Sequence, residues 1–225
     1  ALSTGGVHVA APESQAAQVL QDDEPDLPDE PPVRPAGLQG IHAFPRGAQP
    51  GTFLHALLEK VLQPSLLESA EERAALVQRQ CLLRGHEEHT AMLQDWLEQL
   101  LATGFRLPDG STFRLGNLQA WQNEMEFWFA SHQVSSRKLD ALVQAHILPG
   151  QPRPALLPDR LNGMFKGFID LVFVRGGRYY LADYKSNWLG SVADDYAQQA
   201  MNDCVLKHRY DMQYALYSLA LHRLL

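Results

Sequence analysis

Cysteine is nearly absent from this chain: Cys81 and Cys204 are the two among 225 residues. That excludes a disulfide scaffold and any four-cysteine zinc or iron–sulfur site, and two buried thiols in a reducing compartment is the expected state. No apolar run approaches the roughly 20 residues that a bilayer span needs, so no membrane partner is expected. A Gly-x-x-x-x-Gly-Lys-Ser/Thr phosphate loop is missing, which removes ATP chemistry of that type. A basic excess is missing too. The formal net charge is -7, so charge alone does not point to nucleic acid.

The acidity is concentrated at one end. Residues 1–40 hold seven carboxylates (Glu13, Asp22, Asp23, Glu24, Asp26, Asp29, Glu30) against Arg34, leaving 19 acids and 18 bases over the remaining 185 residues. Pro25, Pro28, Pro31, Pro32 and Pro35 rule out a long helix in that segment. Residues 1–40 are therefore expected to be an acidic, disordered tether, with folding from about Ile41 and one domain over 41–225. The chain opens on Ala1 without a signal segment and reads as a fragment or processed chain.

Within 41–225, apolar periodicity predicts a short helix through Phe53, Leu54, Leu57, Leu58 and Val61, stopped by Pro64. Further helices are expected at about 66–84, 90–103, 136–146, 194–206 and 209–224, and strands at 121–129, 165–174 and 178–185. Pro108-Asp109-Gly110 marks a turn and 149–158 a proline-rich loop. Helices, then strands, then helices suit an α/β domain.

The strand pair carries the chemistry. Gly176-Gly177 between two β-rich runs signals a hairpin in which Arg175 faces Arg178. Stepping back along both strands, Asp170 comes opposite Asp183, on one face, with Cβ atoms roughly 5 Å apart. Two such carboxylates repel by roughly 3 kcal/mol at an effective dielectric near 20. A shared proton or a bound cation offsets that cost, and hard oxygen donors favour Mg²⁺ or Mn²⁺. Lys185 lies two residues past Asp183, hence on the same face. It is placed to orient a water or to stabilise charge on a phosphate. A purely structural Asp–Lys ion pair would leave the second aspartate unexplained.

An acid, then Asp-x-Lys on the next strand, resembles the PD-(D/E)XK nuclease superfamily. Gly167-Phe168-Ile169-Asp170-Leu171-Val172-Phe173, Leu181-Ala182-Asp183-Tyr184-Lys185-Ser186-Asn187-Trp188-Leu189-Gly190 and His208-Arg209-Tyr210-Asp211-Met212-Gln213-Tyr214 are similar to RecB-type nuclease domains. So are Pro45-Arg46-Gly47 and Pro50-Gly51-Thr52-Phe53-Leu54-His55. The resemblance implies a restriction-endonuclease-like core, a small mixed sheet flanked by helices. It implies that His55, Asp170, Asp183 and the backbone carbonyl of Tyr184 hold the metal, and that Lys185, with Asp170 and Asp183, is catalytic. Gln213 and Tyr217, forming a Gln-x-x-x-Tyr motif on one helix face, are expected near the DNA path, with Glu124 or Glu126 supporting the site from the neighbouring strand.

The same resemblance implies a Mg²⁺-dependent exodeoxyribonuclease of the exonuclease V type, with Mn²⁺ or Ca²⁺ able to take the ion's place. The substrate would be single strands of unwound DNA in double-strand-break repair. The partners would be RecC-like and RecD-like subunits, and the location bacterial cytoplasm at the nucleoid. Domains of this kind continue into a further strand and a basic stretch, so the chain is expected to be truncated at its C-terminus. A catalytically silent docking module of a helicase complex is the alternative. His86-Glu87-Glu88-His89 lacks the four-residue histidine spacing of a zincin helix.

Overall fold

The computed structural model describes residues 38–225. The acidic tether expected over 1–40 lies, apart from its last three residues, outside them. The described residues form helices α1 (Ala48–Val61), α2 (Pro64–Glu68), α3 (Ala70–Arg84), α4 (Thr90–Ala102), α5 (Ser136–His146), α6 (Gln198–Lys207) and α7 (Tyr210–Leu224). The strands are β1 (Phe105–Arg106), β2 (Thr112–Phe113), β3 (Trp121–Ser135), β4 (Arg160–Arg175) and β5 (Arg178–Ala182). The main sheet has the order β3-β4-β5, and β1-β2 is a separate hairpin.

A mixed sheet was expected, but the pairings described here are antiparallel. Arg175 faces Arg178 and Leu171 faces Ala182 across β4 and β5. The Val174 N–H bonds the Ala120 carbonyl, and the Ser131 hydroxyl bonds the Leu161 carbonyl, so β3 and β4 also run in opposite senses.

The chain divides into two compact units. One comprises residues 38–125 and Ile169–Met201. Leu57, Leu58 and Val61 recur at helical spacing on α1, as do Val77 and Cys81 on α3 and Leu93, Leu97 and Leu101 on α4. Together with Leu171 and Phe173 of β4 they form one core. Each such side chain, fully buried, contributes roughly 1.5–3 kcal/mol.

The helix expected over 66–84 is two helices, because Ser69 leaves the helical region and its hydroxyl accepts the Glu72 N–H as the cap of α3. Pro64, expected to end α1, also opens α2, where its missing N–H costs nothing. Arg73 closes this corner with a bidentate pair to Glu98, both bonds 2.6 Å, and donates to the Leu66 and Leu67 carbonyls.

The second unit comprises Glu126–Phe168 and Asn202–Leu225. Val143 of α5 packs with Met212 and Leu216 of α7. Beside them lies a buried charge network that the sequence did not reveal. Arg209 Nη2 donates to Asp140 at 2.6 Å and its Nε to Asp211 at 3.1 Å, while Arg153 Nη1 donates to Asp211 at 2.6 Å. Arg153 also bonds the Ile147 and Leu148 carbonyls, and Arg209 that of Pro154. Asp211 is wholly buried, so each partner must be present for the ionised carboxylate to be tolerated.

Three element boundaries also differ from expectation. β3 runs on to Ser135, not 129. β5 stops at Ala182, short of 185. The helix expected from 194 begins as a 3-10 turn, Ala193–Tyr196, before α6. Neither cysteine forms a disulfide; Cys81 is buried, but Cys204 is only half-buried.

Candidate active site

The hairpin register is the one Gly176-Gly177 predicts. Both glycines have positive φ, 56° and 73°, which a two-residue turn matched to right-twisted strands requires. Ladder pairing runs from Arg175–Arg178 to Leu171–Ala182. Asp170, still on β4, and Asp183, the first residue after β5, come just past the last pair. There the regular ladder gives way: the Asp170 carboxylate accepts the backbone N–H of Tyr184 at 2.6 Å. Asp183 forms an ion pair with Lys185, the residue two further on. Both aspartates are largely buried, with 13% of each side chain exposed.

Helix α1 brings His55 to the same place. Its Nδ1 lies 3.7 Å from Asp170 Oδ2, too long for a hydrogen bond, and its ring stands edge-on to Tyr184 at 6.0 Å. Gly51, one turn earlier, permits the approach. A Cβ there would sit 2.6 Å from the Ser186 hydroxyl oxygen, so α1 packs closely against the stretch after Lys185 and a side chain at 51 would oblige the serine hydroxyl to turn away.

Glu124 of β3 joins these residues. Its φ of 46° is one that non-glycine residues rarely adopt, costing of order 1–3 kcal/mol, and such strain clusters at functional sites. Burial, then the charges of Glu59 and Asp183, push its carboxyl above the usual range. Burial likewise raises the Tyr184 phenol, with Asp170, Glu124 and Asp183 adding to the shift. The Tyr184 hydroxyl and Asn123 Oδ1 are buried without a hydrogen-bond partner among the described residues. The region is thus rich in negative charge and holds polar atoms the protein does not satisfy.

Among the described residues, however, no three His, Cys, Asp or Glu side chains converge closely enough to hold an ion as they stand. Lys185 pairs with Asp183 and the Tyr184 N–H donates to Asp170. The donor set itself, two carboxylates with a third nearby and an imidazole, fits a hard divalent cation in chemistry.

Of the remaining expected residues, Glu126 is exposed and belongs to the second unit, paired with Lys166 at 2.8 Å and accepting the Trp128 indole N–H at 2.8 Å. Glu124 shares a unit with Asp183 and feels its charge. Gln213 and Tyr217 do share a helix face: the Gln213 amide donates to the Tyr217 hydroxyl at 2.9 Å. Both are buried, and Tyr217 packs edge-on against Phe127 at 5.5 Å, so within their unit they act as core and not as an open surface.

A cavity of about 420 Å³ opens beside the carboxylates, lined by His55 and Lys185 and by His42, Arg46, Trp188 and Tyr196. Sequence reading did not assign the last four a role, although Arg46 and Trp188 stand in the two stretches that flank His55 and Lys185. Their convergence is tertiary and leaves no local periodic signal.

A family model described as the PD-(D/E)XK nuclease superfamily matches residues 35–225. The RecBCD enzyme subunit RecB of Escherichia coli K12 is 42% identical over 188 residues, 82% of this chain and 15% of the relative. Its namesake from Haemophilus influenzae is 40% identical over 190 residues, 81% of this chain and 15% of the relative. One from Mycobacterium tuberculosis is 30% identical over 210 residues, 82% of this chain and 19% of the relative. The chain therefore spans less than a fifth of the length of these relatives.

Proposed function

Since this chain belongs to the PD-(D/E)XK nuclease superfamily, we propose that it is the nuclease module of a RecB-type helicase–nuclease, hydrolysing phosphodiester bonds of single strands released from unwound DNA. One observation carries the reading: Asp170 and Asp183 directly follow the last pair of the β4–β5 ladder, with Lys185 on Asp183 and His55 Nδ1 3.7 Å from Asp170. A structural ion pair requires no second buried acid, whereas phosphoryl chemistry does.

His55, Asp170, Asp183 and the Tyr184 carbonyl would hold a divalent cation, with Mg²⁺ the physiological choice and Mn²⁺ or Ca²⁺ able to replace it. Such an ion supplies Lewis-acid polarisation of a phosphate and a means of activating water near neutral pH. The chain's own groups do the rest. The Tyr184 N–H fixes the Asp170 carboxylate through a charge-assisted bond. The Lys185 ammonium, paired with Asp183 in the metal-free chain, would be released by the ion to stabilise negative charge developing on a phosphate oxygen. Glu124 adds negative field from β3. The buried Gln213–Tyr217 pair would support the site through the fold of the second unit.

By analogy with the names of the relatives, the working assembly would be a RecBCD-type complex with RecC-like and RecD-like subunits. The setting would be the bacterial cytoplasm, in double-strand-break repair. Among the described residues, no helix is long and apolar enough to cross a membrane. The docking-module alternative keeps the fold but needs neither Lys185 nor the acids. Digestion of end-labelled single-stranded DNA with Mg²⁺ separates the two: the wild-type chain, in its complex if required, degrades the strand, and Asp183→Ala does not. Equal rates would leave only the docking role.

A further inference from the structure

The cavity next to the carboxylates has a composition that water activation and metal holding do not require. It shares His55 and Lys185 with the candidate centre, yet its far wall is aromatic and cationic. The Arg46 guanidinium carbon lies over the Trp188 ring, 3.2 Å from its centroid. His42 stands edge-on to Trp188 at 5.8 Å and packs against Tyr196 at 5.3 Å. None of the four is fully buried, so they border open space instead of filling a core. Among the described residues, Arg46 rests over an indole and pairs with no carboxylate, which leaves its charge available.

Three properties identify the occupant. The volume, about 420 Å³, lies in the range of small-ligand pockets and accommodates one nucleoside unit. Planar aromatic and guanidinium faces are the surfaces on which unpaired bases stack, without regard to sequence. A free cation beside them attracts backbone phosphate. A base still paired in a duplex could not enter such a pocket. A base in a single strand can, and a strand seated there brings its adjoining phosphate to Lys185 and His55.

We infer that the cavity is a base-stacking subsite: it takes one nucleoside unit of single-stranded DNA next to the scissile phosphate, stacked against the Arg46–Trp188 pair, with His42 and Tyr196 as the back wall. The inference rests on the proposed nuclease reading and deepens it, by assigning the preference for unpaired strands to these side chains. Trp188 contributes by supporting the guanidinium, and Arg46 by presenting its plane and charge.

The test is equilibrium binding of dye-labelled oligothymidylate to the 225-residue chain with EDTA present, so that no cleavage intervenes. Trp188→Ala is expected to weaken binding about tenfold and Arg46→Ala by a similar factor, while Trp188→Phe stays within roughly threefold of wild type. An abasic site walked along the strand should cost wild type affinity at one position and cost Trp188→Ala nothing there. A strand carrying 5-iododeoxyuridine at that position should photo-crosslink, on the wild-type chain, to peptides containing Arg46, Trp188 or Tyr196. The crosslink decides the matter even if a variant fails to fold. Unchanged affinity in a folded Trp188→Ala, crosslinks confined to other peptides, or no binding by wild type would each overturn the subsite. Loss of the subsite with hydrolysis intact leaves the proposed function standing. Binding intact without metal-dependent hydrolysis removes that function and leaves the subsite.

Discussion

The Asp170 carboxylate accepts the backbone N–H of Tyr184 at 2.6 Å, two residues past the end of β5. A side chain therefore continues the strand pairing where the ladder itself stops. The same bond places Lys185, the next residue, against Asp183. Asp170 thus has two tasks, holding the peptide that leads to the lysine and presenting charge, and two substitutions separate them. Asp170→Asn keeps an acceptor for Tyr184 and should fold as wild type, yet lose divalent-ion binding and cleavage. Asp170→Ala should also lose the bond and about 1–3 kcal/mol of stability. Thermal melts with calorimetric Mn²⁺ titration of both variants measure the difference.

Lys185 is held by Asp183 beside the cavity. Lys185→Ala should retain single-strand binding and lower the cleavage rate by about 100-fold or more, the scale of removing one preorganised donor from a developing charge. Lys185→Arg should recover only part of that, because the guanidinium cannot match the position of a compact ammonium. Single-turnover kinetics with saturating enzyme isolates this step from binding.

Gly167 of β4 lies under the Phe127 ring of β3. A Cβ at 167 would approach Phe127 Cζ to 2.5 Å and Cε1 to 2.8 Å, and Phe127 is 2% exposed, so the ring cannot simply swing away. Gly167→Ala should therefore cost about 1–3 kcal/mol through overpacking, although it adds only a methyl group. Chemical denaturation reads it directly, and a pairing of Gly167→Ala with Phe127→Leu should recover part of the loss.

Asp140 supplies a pH dependence. Burial raises its carboxyl, but the Arg209 and Gln144 side chains and the Leu156 N–H more than offset that, leaving it below the ordinary carboxylate range. A carboxyl depressed in the folded state stabilises fully above its unfolded pKa, about 3.9, and that stability fades as pH falls through the lower folded value. Wild type should thus lose stability below about pH 4. Asp140→Asn, weaker by ~3 kcal/mol at neutral pH because Arg209 loses a buried partner, should show a shallower acid slope. Melting temperatures from pH 7 to pH 3 compare the two.

How much of this was legible follows from range in sequence. The β4–β5 hairpin is local, and two glycines with positive φ fix its register, so the pairing from Arg175–Arg178 down to Leu171–Ala182 could be read from the residues alone. Helices α1, α3, α4 and α5 carried their apolar stripes openly. Strands β1 and β2, two residues each, are too short to show any period. The Arg153–Asp211 bond joins residues 58 apart, and nothing near either announces the partner. Arg46 and Trp188 are further apart still, and their stacking is a product of the fold. Gln213 and Tyr217 were read correctly as helix neighbours, but their burial depends on Phe127 and could not be seen along the helix.

Nuclease chemistry at this site requires that the two aspartates jointly take a divalent cation. A crystal of the chain soaked in Mn²⁺, with anomalous diffraction recorded at the manganese edge, tests this most directly. The expected result is a single strong peak in contact with both Asp170 and Asp183, with Lys185 displaced from Asp183 and the peak lost in Asp183→Ala. A peak bound elsewhere, or both carboxylates bare at millimolar Mn²⁺ with Lys185 still on Asp183, would contradict it.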